Sequence, residues 1–245
     1  MITGNYHTHT VRCRHAEGSE REYIEAAIDC GLKTLGFSDH TPQPFDDGFV
    51  SSIRMGMDEL DDYVDTLKAL REEYADRIEI KIGLEVEYYP RYFERLMNEV
   101  RKRDIEFLIL GQHFVPEEEN GFYSGNVTDS EDDLELYIDM VIEALETGEF
   151  MYLAHPDLIN FTGDNDVYLG HMKRLCEYAR DNDVPLEING LGFSIGRWYP
   201  RKDFFMVASS MGCRFIYGCD AHRPWQVRQP ESISGLSNFL EEIGF

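Results

Sequence analysis

Seven of the eight histidines in this chain fall in or beside short motifs, several of which carry a carboxylate: His7-Thr8-His9, His15, Ser38-Asp39-His40, Gly111-Gln112-His113, Ala154-His155-Pro156-Asp157 and Asp220-Ala221-His222, with Glu85 in Gly83-Leu84-Glu85. A lone histidine is ordinarily a surface or hydrogen-bonded residue, but this recurrence is the pattern of a metal centre. Residues two apart in an extended strand point the same way, so His7 with His9, and Asp220 with His222, can each offer two donors to one ion. The candidate ligands are His7, His9, His15, His40, Glu85, His113, His155, Asp220 and His222. That is more than one ion can use, and it implies two to three divalent metal ions. A donor set rich in imidazole, with carboxylate and without thiolate, suits Zn, Fe or Mn better than Mg or Ca. Three such ions with Glu85 and Asp220 as the charged ligands would carry about +4, a charge that attracts anions.

These residues must be carried to one place by regular elements. Short apolar runs alternate with longer amphipathic stretches seven times, which predicts strands over 2–6, 34–37, 78–84, 107–110, 151–153, 185–188 and 215–217. Every cluster above then falls at the carboxyl end of a strand, with His15 in the loop after the first; only the sixth strand, ending Glu187-Ile188-Asn189, lacks a histidine. Ser19 to Glu22 reads as a capping box opening a helix that Gly31 stops, Pro90 and Pro200 suit first helical turns, and Ser130 or Thr128 precedes another helix. In the third strand Ile78, Ile80, Ile82 and Leu84 face helices, leaving Lys81, Gly83 and Glu85 on the opposite face. A strict β/α order favours a parallel sheet in one domain over 1–245, open or closed as a barrel. The longer loops, 41–57 and 114–129, follow strands and are candidate lids; the run Glu117 to Glu119 reads as solvated surface.

The 245 residues carry 47 acidic against 23 basic side chains, a net charge of −24, and 42% hydrophobic residues. This composition describes a folded chain that needs no disulfide, and its acidity argues against nucleic-acid and membrane-surface partners, which demand clustered Lys and Arg. No basic leader or membrane-length apolar run is present, so a cytoplasmic protein is expected. The five cysteines, without C-x-x-C spacing, read as reduced and mostly buried thiols. Cys13 is not expected to be a nucleophile, since histidines committed to metal cannot serve it as bases. Ser38 and Ser194 lack a nucleophile-elbow pattern, and His171 reads as an exposed helix residue.

The series H-x-H, S-D-H, G-L-E-x-E, G-x-H, A-H-x-D and D-A-H, from His7 to His222, resembles the PHP (polymerase and histidinol phosphatase) phosphoesterases. The resemblance implies a distorted (β/α)7 TIM-like barrel and a trinuclear site. By it, His7, His9, Glu85 and Asp220 hold one metal, Glu85, His113 and His155 a second, and His15, His40 and His222 a third, with Glu85 as the bridge. The segments Cys13-Arg14-His15-Ala16, Ser38-Asp39-His40-Thr41-Pro42 and Glu187 to Pro200 look most like the histidinol-phosphatase branch, in which Arg197 matches a phosphate-binding arginine. Hydrolysis of a small phosphorylated metabolite, histidinol phosphate first, is therefore expected, with Asp220 as the catalytic proton acceptor. Asn160, where that branch tends to have a basic residue, and Gln112, where it tends to have serine, depart from the pattern. They keep open a nucleotide or other phosphorylated metabolite as substrate. A non-catalytic metal-binding or regulatory barrel would be expected to have lost ligands, and an amidohydrolase commonly has lysine where Glu85 stands.

Overall fold

The structure is a computed structural model describing residues 1–46 and 48–245; Asp47, inside the expected loop 41–57, lies outside the described residues. In chain order the elements are β1 (Gly4–Asn5), α1 (Glu20–Asp29), β2 (Thr34–His40), α2 (Leu60–Glu73), β3 (Glu79–Val86), α3 (Pro90–Val100), β4 (Phe107–Leu110), β5 (Phe114–Val115), β6 (Phe122–Tyr123), α4 (Glu131–Glu146), β7 (Tyr152–Leu153), α5 (Asn165–Asp181), β8 (Leu186–Asn189), α6 (Gly190–Ser194), α7 (Lys202–Ser210), β9 (Phe215–Gly218) and α8 (Leu236–Ile243). All seven expected strands occur. β2 and β3 run further than expected, to His40 and Val86, so His40 and Glu85 are held inside the ladder rather than in the loops beyond it.

Helix ends follow local chemistry. Ser19 closes the capping box of α1, its hydroxyl accepting from the Glu22 N–H while the Glu22 carboxylate accepts from Ser19 N–H at 2.7 Å. Gly31 follows with φ +84°, a left-handed value that glycine adopts without a Cβ penalty. Pro90 opens α3, and Ser130 caps α4 by accepting from Asp133 N–H at 3.2 Å. Pro200 departs from expectation: α7 begins at Lys202 with Arg201 as its N-cap, so the proline precedes the helix. The segment 114–129 is also not a plain loop, because Phe114 pairs antiparallel with Tyr123 in a two-residue ladder too short to show periodicity.

The chain forms two compact units, residues 1–109 with 218–232 and residues 110–217 with 233–245. In the first, β1, β2, β3 and β4 are successive neighbours, with Gly4 opposite Thr34 and His40 opposite Glu85 in parallel register. Past β1, Thr8 bridges in parallel to Ala221, whose N–H donates to His7 O at 3.2 Å and whose carbonyl accepts from His9 N–H at 2.9 Å. The alternation places buried Leu35, Phe37, Ile80, Ile82 and Leu84 on one face of β2 and β3, and α2 packs against β3 with Tyr63, Val64 and Leu67 buried. The Tyr63 hydroxyl donates to Gly83 O at 2.8 Å and accepts from Asp39 N–H, tying the helix to both strands. On the opposite face Gly36 and Gly83 make room for the Phe107 ring, which packs edge-on to Tyr6 at 5.5 Å and fills the layer below His40 and Glu85.

In the second unit Leu110 of β4 accepts from Ala154 N–H at 2.8 Å, Leu153 pairs in parallel with Leu186, and Leu186 N–H donates to Arg214 O at 2.9 Å. Helix α4 packs on α5, α5 on α7 and α7 on α8. His171 is half-buried rather than exposed, with Nε2 3.2 Å from Glu131. The short i,i+3 spacing to Arg174 and the apposition of α4 supply partners that the histidine's own sequence neighbours do not reveal. The five cysteines are free thiols, four of them buried, and among the described residues no helix is long and apolar enough to cross a membrane.

A Cβ at Gly83 would stand 2.4 Å from the Phe107 ring. Gly83→Ala is therefore expected to destabilise the protein by about 1–3 kcal/mol through overpacking, and Phe107→Leu in the same chain to recover part of that loss. Urea unfolding of both variants checks this; an unchanged midpoint for Gly83→Ala would refute the close packing.

Candidate metal centre

At the carboxyl ends of β1, β2 and β3, and just after β9, the first unit brings seven of the nine expected ligands together. His9 is the hub. Its Nδ1 lies 3.3 Å from Asp39 Oδ1 and its Nε2 3.1 Å from Asp220 Oδ1, and its ring stacks on His222 at 3.9 Å and lies 4.5 Å from His40. His7 Nε2 is 3.5 Å from both Glu85 and Asp220. Glu85 is also 2.9 Å from His40 Nδ1 and 3.7 Å from His9 Nε2. His15 lies 4.6 Å from His222 and 5.3 Å from His40, ring to ring.

Three sets of donor atoms each lie within 4.8 Å of one another: His7, His9 and Asp220; His9, His40 and His222; and Cys13, His15 and His222. Such spacing fits ions bridged by short ligand bonds. The atoms are directed for that use. His15 Nδ1 is occupied by Cys13 O at 2.7 Å and His222 Nδ1 by Asp220 O at 3.1 Å, leaving each Nε2 as the remaining donor. His222 Nε2 is buried without a hydrogen bond, a cost that a metal ligand bond would remove. Asp220 holds φ +50°, a left-handed value unusual for a residue with a side chain and typical of strained functional positions.

Two residues outside the expected ligand set belong to this cluster. Asp39 is fully buried; besides His9 it accepts from the Thr10 N–H at 3.2 Å, the Thr10 hydroxyl and the His40 N–H at 2.8 Å. It is placed to fix the tautomer and orientation of His9, one of the expected ligands. Its signal was present in Ser38-Asp39-His40, but alternation puts it on the opposite face from His40, and only the path of the first strand returns His9 to it. Cys13 contributes a thiol near His15 and His222. Burial, with Asp39 beside it, pushes that thiol far above its ordinary range, so it is protonated and a poor nucleophile.

Charge in the cluster is tightly linked. Burial opposes a charge on His9, yet hydrogen bonds to Asp220 and Asp39, with Glu85 nearby, outweigh it and raise His9 to about 9. Burial likewise opposes ionisation of Asp220, but His7, His9 and His222 hold it well below the usual carboxylate range. Burial and the proximity of charged His9 depress His15 and His222, which stay neutral and able to ligate.

The second unit gathers its own pair. The rings of His113 and His155 meet edge to face at 4.8 Å, and His155 takes φ +29°. Glu187, buried in the strand without a histidine, accepts from His155 N–H at 3.0 Å and from the Asn189 amide at 2.9 Å, fixing that turn. Tyr199 lies 6.0 Å from the His155 ring, and the exposed Arg197 donates to its hydroxyl at 2.8 Å. Asn160 donates to Gly125 O at 3.2 Å and thus joins two loops. Asp157 is raised to about 7, chiefly by burial, although it accepts from Arg201 N–H at 2.5 Å.

Asp39→Asn, which keeps the volume but weakens the acceptor facing His9, is expected to lower metal affinity about 10- to 100-fold while far-ultraviolet circular dichroism stays unchanged. Titration of the metal-free variant with Zn or Mn measures it, and wild-type affinity would refute the orienting role. In the metal-free wild type, His9 is protonated below about 9 and must lose that proton to ligate. Metal affinity should accordingly rise with pH by up to about tenfold per unit and level off above about 9. Calorimetry in buffers of different ionisation enthalpy reads the released proton directly.

A PHP domain matches residues 5–190. The chain is 29% identical over 237 residues to a probable histidinol-phosphatase of Deinococcus radiodurans, covering 90% of this chain and 86% of that one. It is 25% identical over 253 residues to a probable histidinol-phosphatase of Schizosaccharomyces pombe, covering 90% and 81%. Among solved structures it resembles histidinol phosphate phosphatase of Lactococcus lactis, complexed with Zn, L-histidinol and phosphate, with TM-score 0.76 and 20% identity over 99% of this chain and 94% of that one. That likeness is one of fold, and it is the distorted (β/α)7 barrel class expected from the sequence. With the motif matched across most of its length, the chain belongs to the PHP family.

Proposed function

We propose that the protein hydrolyses a small phosphate monoester, histidinol phosphate, to histidinol and phosphate, with two to three divalent ions among Zn, Fe and Mn as cofactors. The observation that carries the reading is the cluster of buried His7, His9, His40, Glu85 and Asp220 with half-buried His222 and exposed His15, whose donor atoms converge in triplets. These residues, with His113 and His155 of the second unit, are the proposed ligands. Bound ions would supply Lewis-acid activation of water and compensation of phosphoryl charge. Support for the ester comes from the PHP membership and from relatives described as histidinol-phosphatases.

The chain's own groups divide the remaining work. Asp39 and Glu187 hold His9 and the His155 turn in place, so that little reorganisation is needed when substrate arrives. Asp220, ionised and hydrogen-bonded to His9, accepts the proton of the attacking water as the new P–O bond forms; the ester P–O bond breaks and the departing alkoxide takes its proton from solvent water. Arg197, a guanidinium at the surface of the second unit, contacts the phosphoryl oxygens. Five free thiols suit a reducing cytoplasm.

Phosphate release from histidinol phosphate, beside nucleotide and sugar phosphates, tests the reading with protein of known metal content supplemented with Mn, Zn or Fe. Preference for histidinol phosphate is expected; turnover of another ester alone discards the substrate, and none with the sites loaded discards catalysis. Arg197→Ala should lower kcat/KM about 10- to 100-fold, the worth of one charged hydrogen bond.

A further inference from the structure

The first unit contains a cavity of about 530 Å³ between the segment after β2 and the start of α2, a size typical of small-molecule sites. Its wall includes Arg14, adjacent to the expected ligand His15, and Gln43, three residues beyond His40. The chemistry of that wall is not that of a phosphate site. Arg14 is engaged by Glu59 through both guanidinium nitrogens, one at 3.0 Å. Buried Arg54 donates to Thr41 O at 3.1 Å and to Glu87 Oε1 at 3.0 Å. Both cations are therefore matched by carboxylates already.

What the wall offers instead is acceptors and apolar surface. Gln43 is only 7% exposed, and its amide donates to Glu87 O at 2.9 Å, which fixes the other end of the group, Oε1, buried and without a hydrogen bond among the described residues. A buried amide oxygen left unpaired costs free energy until a donor meets it. Asp58 lies back over Gly56, where a Cβ would meet its Oδ1 at 2.5 Å, and is exposed with no ion pair among the described residues. Phe45 and Phe49, edge to face at 5.0 Å, and buried Met55 complete an apolar surface suited to a flat ring.

We propose that this cavity is the specificity pocket for the organic half of the substrate. It receives a protonated amino alcohol bearing a planar N–H ring, with Gln43 Oε1 accepting from a ring or amine N–H and Asp58 facing the ammonium. The inference rests on the hydrolytic reading above and deepens it, assigning discrimination to the segment between His40 and α2, and to none of the metal ligands.

The test uses the metal-loaded full chain and two esters, histidinol phosphate and phenyl phosphate, which has neither ammonium nor N–H. Asp58→Asn and Gln43→Leu should each lower the ratio of kcat/KM for histidinol phosphate to that for phenyl phosphate about tenfold, mostly through KM. Inhibition by L-histidinol should weaken in parallel. Among the described residues the Asp58 side chain has no ion pair, so its variant remains informative if Gln43→Leu is unstable. An unchanged ratio and unchanged inhibition, in a wild type that prefers histidinol phosphate, overturn the pocket alone. A wild type that hydrolyses phenyl phosphate and not histidinol phosphate overturns the hydrolytic reading, and with it the occupant assigned to the pocket.

Discussion

The line of hydrogen bonds from Asp39 through His9 to Asp220 joins three strand ends in a layer closed to water. Both nitrogens of one imidazole face carboxylates, and an imidazolium is the form that can donate to both. Four histidines, His7, His9, His40 and His222, and three carboxylates packed this tightly would be costly if each were desolvated alone, since buried charge is tolerated only when paired. Sharing through His9 keeps Asp220 ionised and leaves His15 and His222 neutral. In the metal-free protein a proton thus occupies a place that a bound metal ion would contest.

The surrounding fold serves to hold this layer still. Below it the Phe107 ring lies against Gly36 and Gly83, and any side chain at those positions would lift the floor beneath His40 and Glu85. Behind it Tyr63 fastens α2 to the backbones of β2 and β3. In the second unit Glu187 does for the His155 turn what Asp39 does for His9. Left-handed backbone at His155 and Asp220 shows where the chain gives up local comfort, and the neighbouring hydrogen bonds and buried packing offset it.

The acidity of the chain, −24 overall, is spread over a surface where arginines pair with carboxylates, as in Arg21 with Glu73 and Arg77 with Glu25. Exposed pairs of this kind add little stability. With these arginines held by carboxylates, the proposed affinity for phosphate rests on the metal ions and Arg197. The same pairing inside the cavity beside Gln43 removes its two arginines from phosphate recognition and leaves acceptors in their place.

Much of this was legible in the residues. Apolar runs and their spacing located all seven strands, and the clustering of histidine with carboxylate at their ends pointed to a metal centre and a family. Strand extents were less visible, because the ladder that extends β2 and β3 to His40 and Val86 is made by neighbours, not by the strand's own residues. His171, the hairpin within 114–129 and the position of Pro200 were missed for similar reasons: a facing helix, a two-residue ladder and a cap one residue later leave no periodic trace. The sequence by itself determined which side chains stand at strand ends, since φ/ψ preference and alternation are local properties. Only the tertiary structure decided which of them meet, that Asp39 reaches His9 and that Cys13 joins the cluster. His9 and Asp220 are separated by 211 residues along the chain and 3.1 Å in space, and no local pattern encodes that distance.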